Sequence, residues 1–317
     1  GIEALTRQSL DRVAERLVSY DRSRYMKAIR DAGIQAVIAD VLFPPPWQRP
    51  IRYYGNPVLT DFLKGEFTMP WARSPVSMVM GDVWRPVFSL TYFHEIRRRD
   101  FIEYVGSVSN LNITSLQEYE EAVFTLIKKS IDKGVIALKD KSAYRRVISY
   151  ELSTRSDAER LFNRLLNDPR NQLAWPEAKP LDDYLFHQYM RFACELDLPV
   201  QIHTGHVAGI RNRVSKANAA HFASVLELHS DVRFDLFHGN WPYMGDLIFL
   251  GKNYPNVALD LCWVHMVDPL YAQELLKRAV MTVPHAKIHG FGGDHWLSPE
   301  LAVAHLTLAR EVIASAL

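Results

Sequence analysis

Two cysteines, Cys194 and Cys262, are all that 317 residues contain, so a disulfide framework is excluded and free thiols in apolar surroundings, kept in a reducing compartment, are expected instead. No run approaches the roughly twenty apolar residues that a bilayer span needs. The opening GIEALTRQSLDRVAERL is amphipathic and charged, without the apolar stretch of a signal peptide. A cytoplasmic protein with no membrane partner is the expectation. An excess of one charge is missing too: 37 Lys and Arg face 36 Asp and Glu, and the signs alternate along the chain, which argues against a nucleic-acid footprint. The cluster Arg97, Arg98, Arg99 is followed by Asp100 and reads as a solvated helix start. The chain also lacks any His-x-His pair.

What is present is ordinary for a folded protein, with 48% hydrophobic and 23% charged residues. From Pro199 onward one pattern recurs: a short apolar run rich in β-branched residues, a polar or glycine-containing turn, then an amphipathic stretch of helical period. LPVQIHTG gives a strand ending at His203, ANAAHFASVLELHS a helix, and VRFDLFHGN a strand ending at His238. MGDLIFLGKNY reads as a helix, PNVALDLCW as a strand, PLYAQELLKRAVMTV as a helix, and AKIHGFGGDHW as a strand closing on Asp294. The last segment opens with Ser298 as N-cap, Pro299 at the first helical position and Glu300 behind it.

Upstream, MKAIRDAGIQAVIADVLF predicts a helix, a glycine cap at Gly33 and a strand. WRPVFSLTYF predicts another strand, SLQEYEEAVFTLIKKSIDK a helix opened by a Ser-x-x-Glu box, and GVIALKD a third strand. Between the first two, about residues 43–84 form a Pro- and aromatic-rich insertion, read as a lid over the site or a homo-oligomer contact. Strands therefore start near 34, 86, 135, 199, 232, 257 and 287. That is one short of a closed barrel. Parallel βα units fit either a barrel or a doubly wound sheet, and the polar residues favour the barrel because His203, His238 and Asp294 each stand at the carboxyl end of a different strand. The expected fold is α/β: a single domain over 1–317, a distorted (β/α)8 TIM barrel whose first strand would precede Gly1.

A mononuclear metal site needs about four donors around one ion, with a position open to water or substrate. A lone histidine in an apolar strand is more often a satisfied core residue, but three strand-end donors point to a shared cation.

LPVQIHTG, FDLFHGNWPY, YPNVALDL and GFGGDHWLSPELA resemble the carboxyl-terminal half of amidohydrolase-superfamily proteins, and ALKDKSAYRR resembles their fourth-strand motif. By pattern, the uronate isomerase-like members and the amidohydrolase domain fused to a glutamine synthetase in some fungi are most similar. The likeness covers about residues 132–317 well, and 25–42 and 84–95 weakly. It implies His203 and Asp294 as metal ligands, His238 as a ligand or substrate contact, and Asp294 as proton acceptor. The superfamily's first-strand His-x-His would lie before Gly1; its true loss is the other reading.

The implied function is hydrolysis of a small polar, carboxylate-bearing substrate by metal-activated water, with Asp294 and His238 as catalytic residues. The rivals are a uronate isomerase-like sugar-acid isomerase or decarboxylase, and a non-catalytic metabolite-binding barrel. One divalent metal is expected, zinc first, with manganese and iron as alternatives. Lys139 reads as a substrate contact, a carbamylated metal bridge or a strand-end charge, with substrate contact preferred. Tyr144 and Arg145 would grip a carboxylate, or merely start a surface helix. His206, Trp241, His265, His295 and Trp296 follow strand ends and are expected to line the pocket.

Overall fold

The computed structural model describes residues 6–18, 22–41, 62–63, 83–295 and 299–317. Two helices, α1 (Arg7–Val18) and α2 (Arg22–Asp31), precede strand β1 (Val37–Val41); Gly33 turns the chain between them at φ +75°, a conformation glycine adopts without penalty. Strand β2 (Trp84–Ser89) is followed by α3 (Thr91–His94), α4 (Arg99–Ser109) and α5 (Leu116–Ile131). The Ser115 hydroxyl caps α5 by accepting from the Glu118 N–H, while the Glu118 carboxylate reaches one residue further back than a standard box, to Thr114. Strand β3 (Ala137–Asp140) leads through α6 (Arg155–Asn167) and α7 (Lys179–Glu195) to β4 (Val200–His203). After α8 (Ala223–Leu228) come β5 (Phe234–Phe237), α9 (Met244–Asn253), β6 (Val257–Asp260), α10 (Val264–Val267), α11 (Pro269–Thr282), β7 (Ile288–His289) and α12 (Pro299–Ala316).

All seven expected strands form, and they pair in sequence order, each parallel to the next. A doubly wound sheet would reverse its order at a switch point; an unbroken order is the wall of a barrel. β3 and β4 are buried at every position, as expected where helices cover one face and a packed interior the other.

The side-chain period of two separates those faces. A methyl on Gly251 of α9 would meet Leu259, so Leu259 faces the helices and its neighbour Asp260 faces inward. Lys139 lies over the Phe237 ring, and the register pairs Lys139 with Gln201, Gln201 with Asp235, His203 with Phe237 and Asp260 with His289. The inward face therefore carries Lys139, Gln201, His203, Asp235, Phe237, Asp260 and His289. The outward face carries Leu138, Val200, Ile202, Leu236 and Leu259 into one continuous apolar cluster with the helices. Each fully buried side chain of this kind stabilises the fold by about 1.5–3 kcal/mol.

Several expectations change. Cys194 is exposed on α7 while Cys262 is buried, and both are free. The single helix expected after β4 is a short 3-10 turn, Ala219–Phe222, followed by the brief α8. Arg97 is no mere solvated charge: it grips the buried Asp182 through two bonds of 2.6 and 2.7 Å. The insertion of about 43–84 lies outside the described residues except at 62–63 and 83–84, as do Ser298 and Trp296. No described helix is long and apolar enough to cross a membrane.

Candidate metal centre

His203 closes β4 and His238 follows the last residue of β5, so the parallel register brings both to the same rim. His238, Gly239 and Asn240 run through left-handed backbone at φ +67°, +56° and +49°, an uncommon conformation for non-glycine residues that has to be held from outside. Asn240 supplies part of that hold: its fully buried amide accepts from the Ala219 N–H and donates to the Tyr243 carbonyl and the Asn218 side chain. Gly205 presses the loop after β4 against this turn, so closely that a Cβ would stand 2.4 Å from Asn240 C and Trp241 N.

The hydrogen bonds of the two imidazoles fix their tautomers. His203 Nε2 lies 2.7 Å from the His206 carbonyl and His238 Nδ1 lies 3.0 Å from the Cys262 carbonyl. A carbonyl only accepts, so each of these nitrogens carries the ring proton. The remaining nitrogens, His203 Nδ1 and His238 Nε2, face each other at 3.0 Å. In neutral rings both present lone pairs. Burial pushes the pKa of His203 well below the ordinary histidine value, with the charges of His238 and Lys139 adding to the effect. Burial and then Lys139 depress His238 to about 3. Protonation is a costly way to separate the lone pairs. The donor set suits a divalent cation better: neutral imidazoles, bare nitrogens converging, and the opposite ring edge anchored to backbone, as in metal-ligating histidines generally.

Asp294 lies in the loop after β7, exposed and at φ +49°. Among the described residues, the group of three possible donors with ligand atoms mutually within 4.8 Å is Asp235, Asp260 and His289, not the two histidines with Asp294. The carboxylate nonetheless acts on the neighbourhood: its charge opposes the pKa-lowering effect of burial at His206 and at its neighbour His295.

The other candidates divide. Tyr144, at the end of the 3-10 turn Ser142–Tyr144, places its ring 4.7 Å from that of His203. Lys139 is buried among the inward-facing residues, its Nζ 3.1 Å from the Phe237 ring centroid. His206 packs edge-on to Trp241 at 6.0 Å, and the Trp241 indole N–H points to Asp268 at 3.4 Å. Arg145 donates to buried Glu95 at 2.8 Å and lies over the Tyr92 ring. His265 and His295 both pack against the His305 ring, at 5.5 and 5.3 Å.

Two features were missed. A cavity of about 110 Å³ beside Tyr144 is lined by Arg211, Arg213 and Lys216 from the long loop after β4, where no periodicity marks them. Inside the barrel, His289 donates to Asp235 at 3.1 Å and stands 3.8 Å from Asp260. The hydrogen bond to Asp235 raises the His289 pKa, and burial followed by repulsion from Asp235 raises that of Asp260. An aspartate in the middle of the apolar strand FDLF was the available signal.

Residues 158–301 match the family profile described as amidohydrolase. Protein fluG of Emericella nidulans is 30% identical over 182 residues, which are 53% of this chain and 21% of that protein. The chain thus spans about a fifth of the length of this curated relative. Among solved structures, a Lactobacillus casei ATCC 334 protein described as a metal-dependent hydrolase matches with TM-score 0.65 at 16% identity, over 92% of this chain and 68% of its own. The uronate isomerase of Thermotoga maritima matches with TM-score 0.64 at 13% identity, over 92% and 62%. Identities this low establish a shared fold.

Proposed function

We propose that the chain, whose residues 158–301 match the amidohydrolase family profile, is a metal-dependent hydrolase of small, carboxylate-bearing molecules. The observation that carries the reading is the pair of bare imidazole nitrogens, His203 Nδ1 and His238 Nε2, converging at 3.0 Å with their ring protons committed to carbonyls. His203 and His238 would hold a divalent cation, with zinc the first choice for imidazole donors. Such an ion supplies Lewis acidity toward a carbonyl and makes water a usable nucleophile near neutral pH.

The chain's own residues divide the remaining work. Asp294, exposed at the rim, accepts the proton released when water attacks and returns it to the leaving group. Arg211, Arg213 and Lys216 bind the substrate carboxylate beside Tyr144; the planar guanidinium matches two carboxylate oxygens at once. Burial, with Lys139 inside the wall adding to it, keeps His203 and His238 neutral and therefore able to act as donors.

Elemental analysis and turnover on a panel of amides, lactones and uronates test this reading. We expect tightly bound metal that His203→Ala with His238→Ala abolishes, and Asp294→Asn protein that keeps metal yet loses at least about 100-fold in kcat, the usual scale of general acid–base catalysis. Full turnover in Asp294→Asn would remove that residue from the chemistry. Conversion of uronates without hydrolysis of any amide or lactone would move the activity to isomerisation.

A further inference from the structure

Asp140 closes β3 fully buried, and five donors meet on its carboxylate. Oδ1 lies 2.8 Å from His94 Nε2 and accepts from the Thr91 and Ser142 hydroxyls at 3.1 and 2.8 Å. Oδ2 accepts from the Tyr150 hydroxyl at 2.9 Å and from the Ser142 N–H at 3.3 Å. An ionised carboxylate only accepts, so His94 Nε2 carries the ring proton. Burial by itself raises the pKa of such a group, yet attraction to His94 and the hydrogen bonds from His94, Ser142 and Tyr150 outweigh it and keep Asp140 at about 2.

This side chain does not face the barrel interior. Asp140 pairs with Ile202, one position from the inward-facing Lys139 and His203, and therefore stands on the helix side of the wall. An apolar residue packs such a position at no desolvation cost, so a buried carboxylate here calls for a positional reason. What it organises is the segment that follows it. The Thr91 hydroxyl that donates to Asp140 also accepts from the Lys141 N–H at 2.7 Å, and Glu95, directly after α3, accepts from Arg145 at 2.8 Å. Lys141, Ser142 and Arg145 are thus pinned to α3 and to Asp140. Between the pins lie Ala143 and Tyr144, which line the cavity they share with Arg211, Arg213 and Lys216. The Tyr144 ring stands 4.7 Å from that of His203.

We propose that Asp140 is a positioning residue for substrate recognition: through Ser142, and through Thr91 to Lys141, it fixes Ala143 and Tyr144 as one wall of the cationic cavity. It thereby sets affinity for the substrate carboxylate without touching substrate or metal. The inference rests on reading that cavity as the carboxylate site. Loosening the pins lets the turn drift from His203 and from the cations opposite. The loss falls on binding, and so on KM, while the metal donors His203 and His238 stay in place.

The test is titration with acetate, read by NMR from the Nε–H signals of Arg211 and Arg213, in wild type, Asp140→Asn, Thr91→Val and Thr91→Ser. The NOE between the Tyr144 and His203 rings and the bound metal are measured on each protein. Valine keeps the shape of threonine and removes the hydroxyl, whereas serine keeps the hydroxyl. We expect Asp140→Asn and Thr91→Val to weaken acetate about tenfold, the scale of one lost hydrogen bond, and to lose the NOE. Thr91→Ser should retain both, with metal content equal throughout. Wild-type affinity and an intact NOE in Asp140→Asn and Thr91→Val overturn the inference and leave the carboxylate reading standing. An equal loss in Thr91→Val and Thr91→Ser, or metal lost in step with acetate, marks general disruption and overturns it too. A wild type without saturable response to acetate removes the carboxylate reading and the inference together. Acetate binding needs no turnover, so the outcome is independent of the hydrolytic chemistry. Should Asp140→Asn fail to fold by circular dichroism, the Thr91 variants decide.

Discussion

Gly205 joins the two halves of the candidate centre. Its φ of +64° and the 2.4 Å that would separate a Cβ from the Asn240–Trp241 backbone leave no room for a side chain. We expect Gly205→Ala to lose about 2 kcal/mol or more in urea denaturation, by strain and displaced backbone, and to weaken metal uptake; a variant as stable as wild type would show that the contact yields easily. Lys139→Met should raise the pKa of both His203 and His238, since the lysine charge adds to burial in depressing them. Proton NMR of metal-free protein reads that shift, and unchanged titration would detach Lys139 from the pair. At this scale the sequence was legible where a polar letter closed an apolar strand, as at His203 and His238, whose rings meet. It was opaque where the partner was distant: Arg145 is oriented by Glu95, fifty positions away, and Arg211, Arg213 and Lys216 share a loop without period. His265 was expected to line the pocket, whereas His305, on a helix, carried no signal, and only packing brings the two rings to 5.5 Å.

Among elements, α7 and the end of α8 are linked by His187 and His229, whose rings stack at 5.1 Å with Nδ1 and Nε2 2.9 Å apart. One ring donates and the other accepts, so the pair tolerates no second proton. Burial, then the neighbouring His187, lowers the His229 pKa from 6.5 to about 4. The unfolded chain therefore binds the proton first. The pair's contribution is complete above about pH 6.5 and declines as the pH falls toward 4, by about 1 kcal/mol at most because His229 is partly exposed. Urea melts at pH 7.5 and 5 should show this loss, and His229→Gln should flatten it; an equal pH dependence in the variant would exclude the pair as its source. All seven described strands were readable from short β-branched runs and the turns bounding them. The insertion of about 43–84 was readable only as a departure from the pattern. The split at Ala219–Phe222 was not, since Asn218 caps a 3-10 turn there through the Ala220 N–H, a choice that helical periodicity does not register.

For the molecule as a whole, the unbroken parallel order sends every strand's carboxyl end to one rim, which is why donors from β4 and β5 meet although 34 residues separate the two strand starts, Val200 and Phe234. Metal bound by the folded chain alone stabilises it by mass action, about 2.7 kcal/mol at a hundredfold excess over Kd. Chelator treatment should accordingly lower the thermal midpoint, and zinc should restore it. An unchanged midpoint in both directions would argue against a resident ion.

The His238 ring is moored not to its own strand but to the carbonyl of Cys262, in the loop beyond β6. Exchanging that loop for one from another barrel, a common route to altered specificity, would therefore also unmoor a donor of the centre. Loops grafted after β4 that spare His203 through His206, and the Asn218 and Ala219 contacts to Asn240, carry no such penalty, which makes the segment bearing Arg211 and Arg213 the freer ground for redesign.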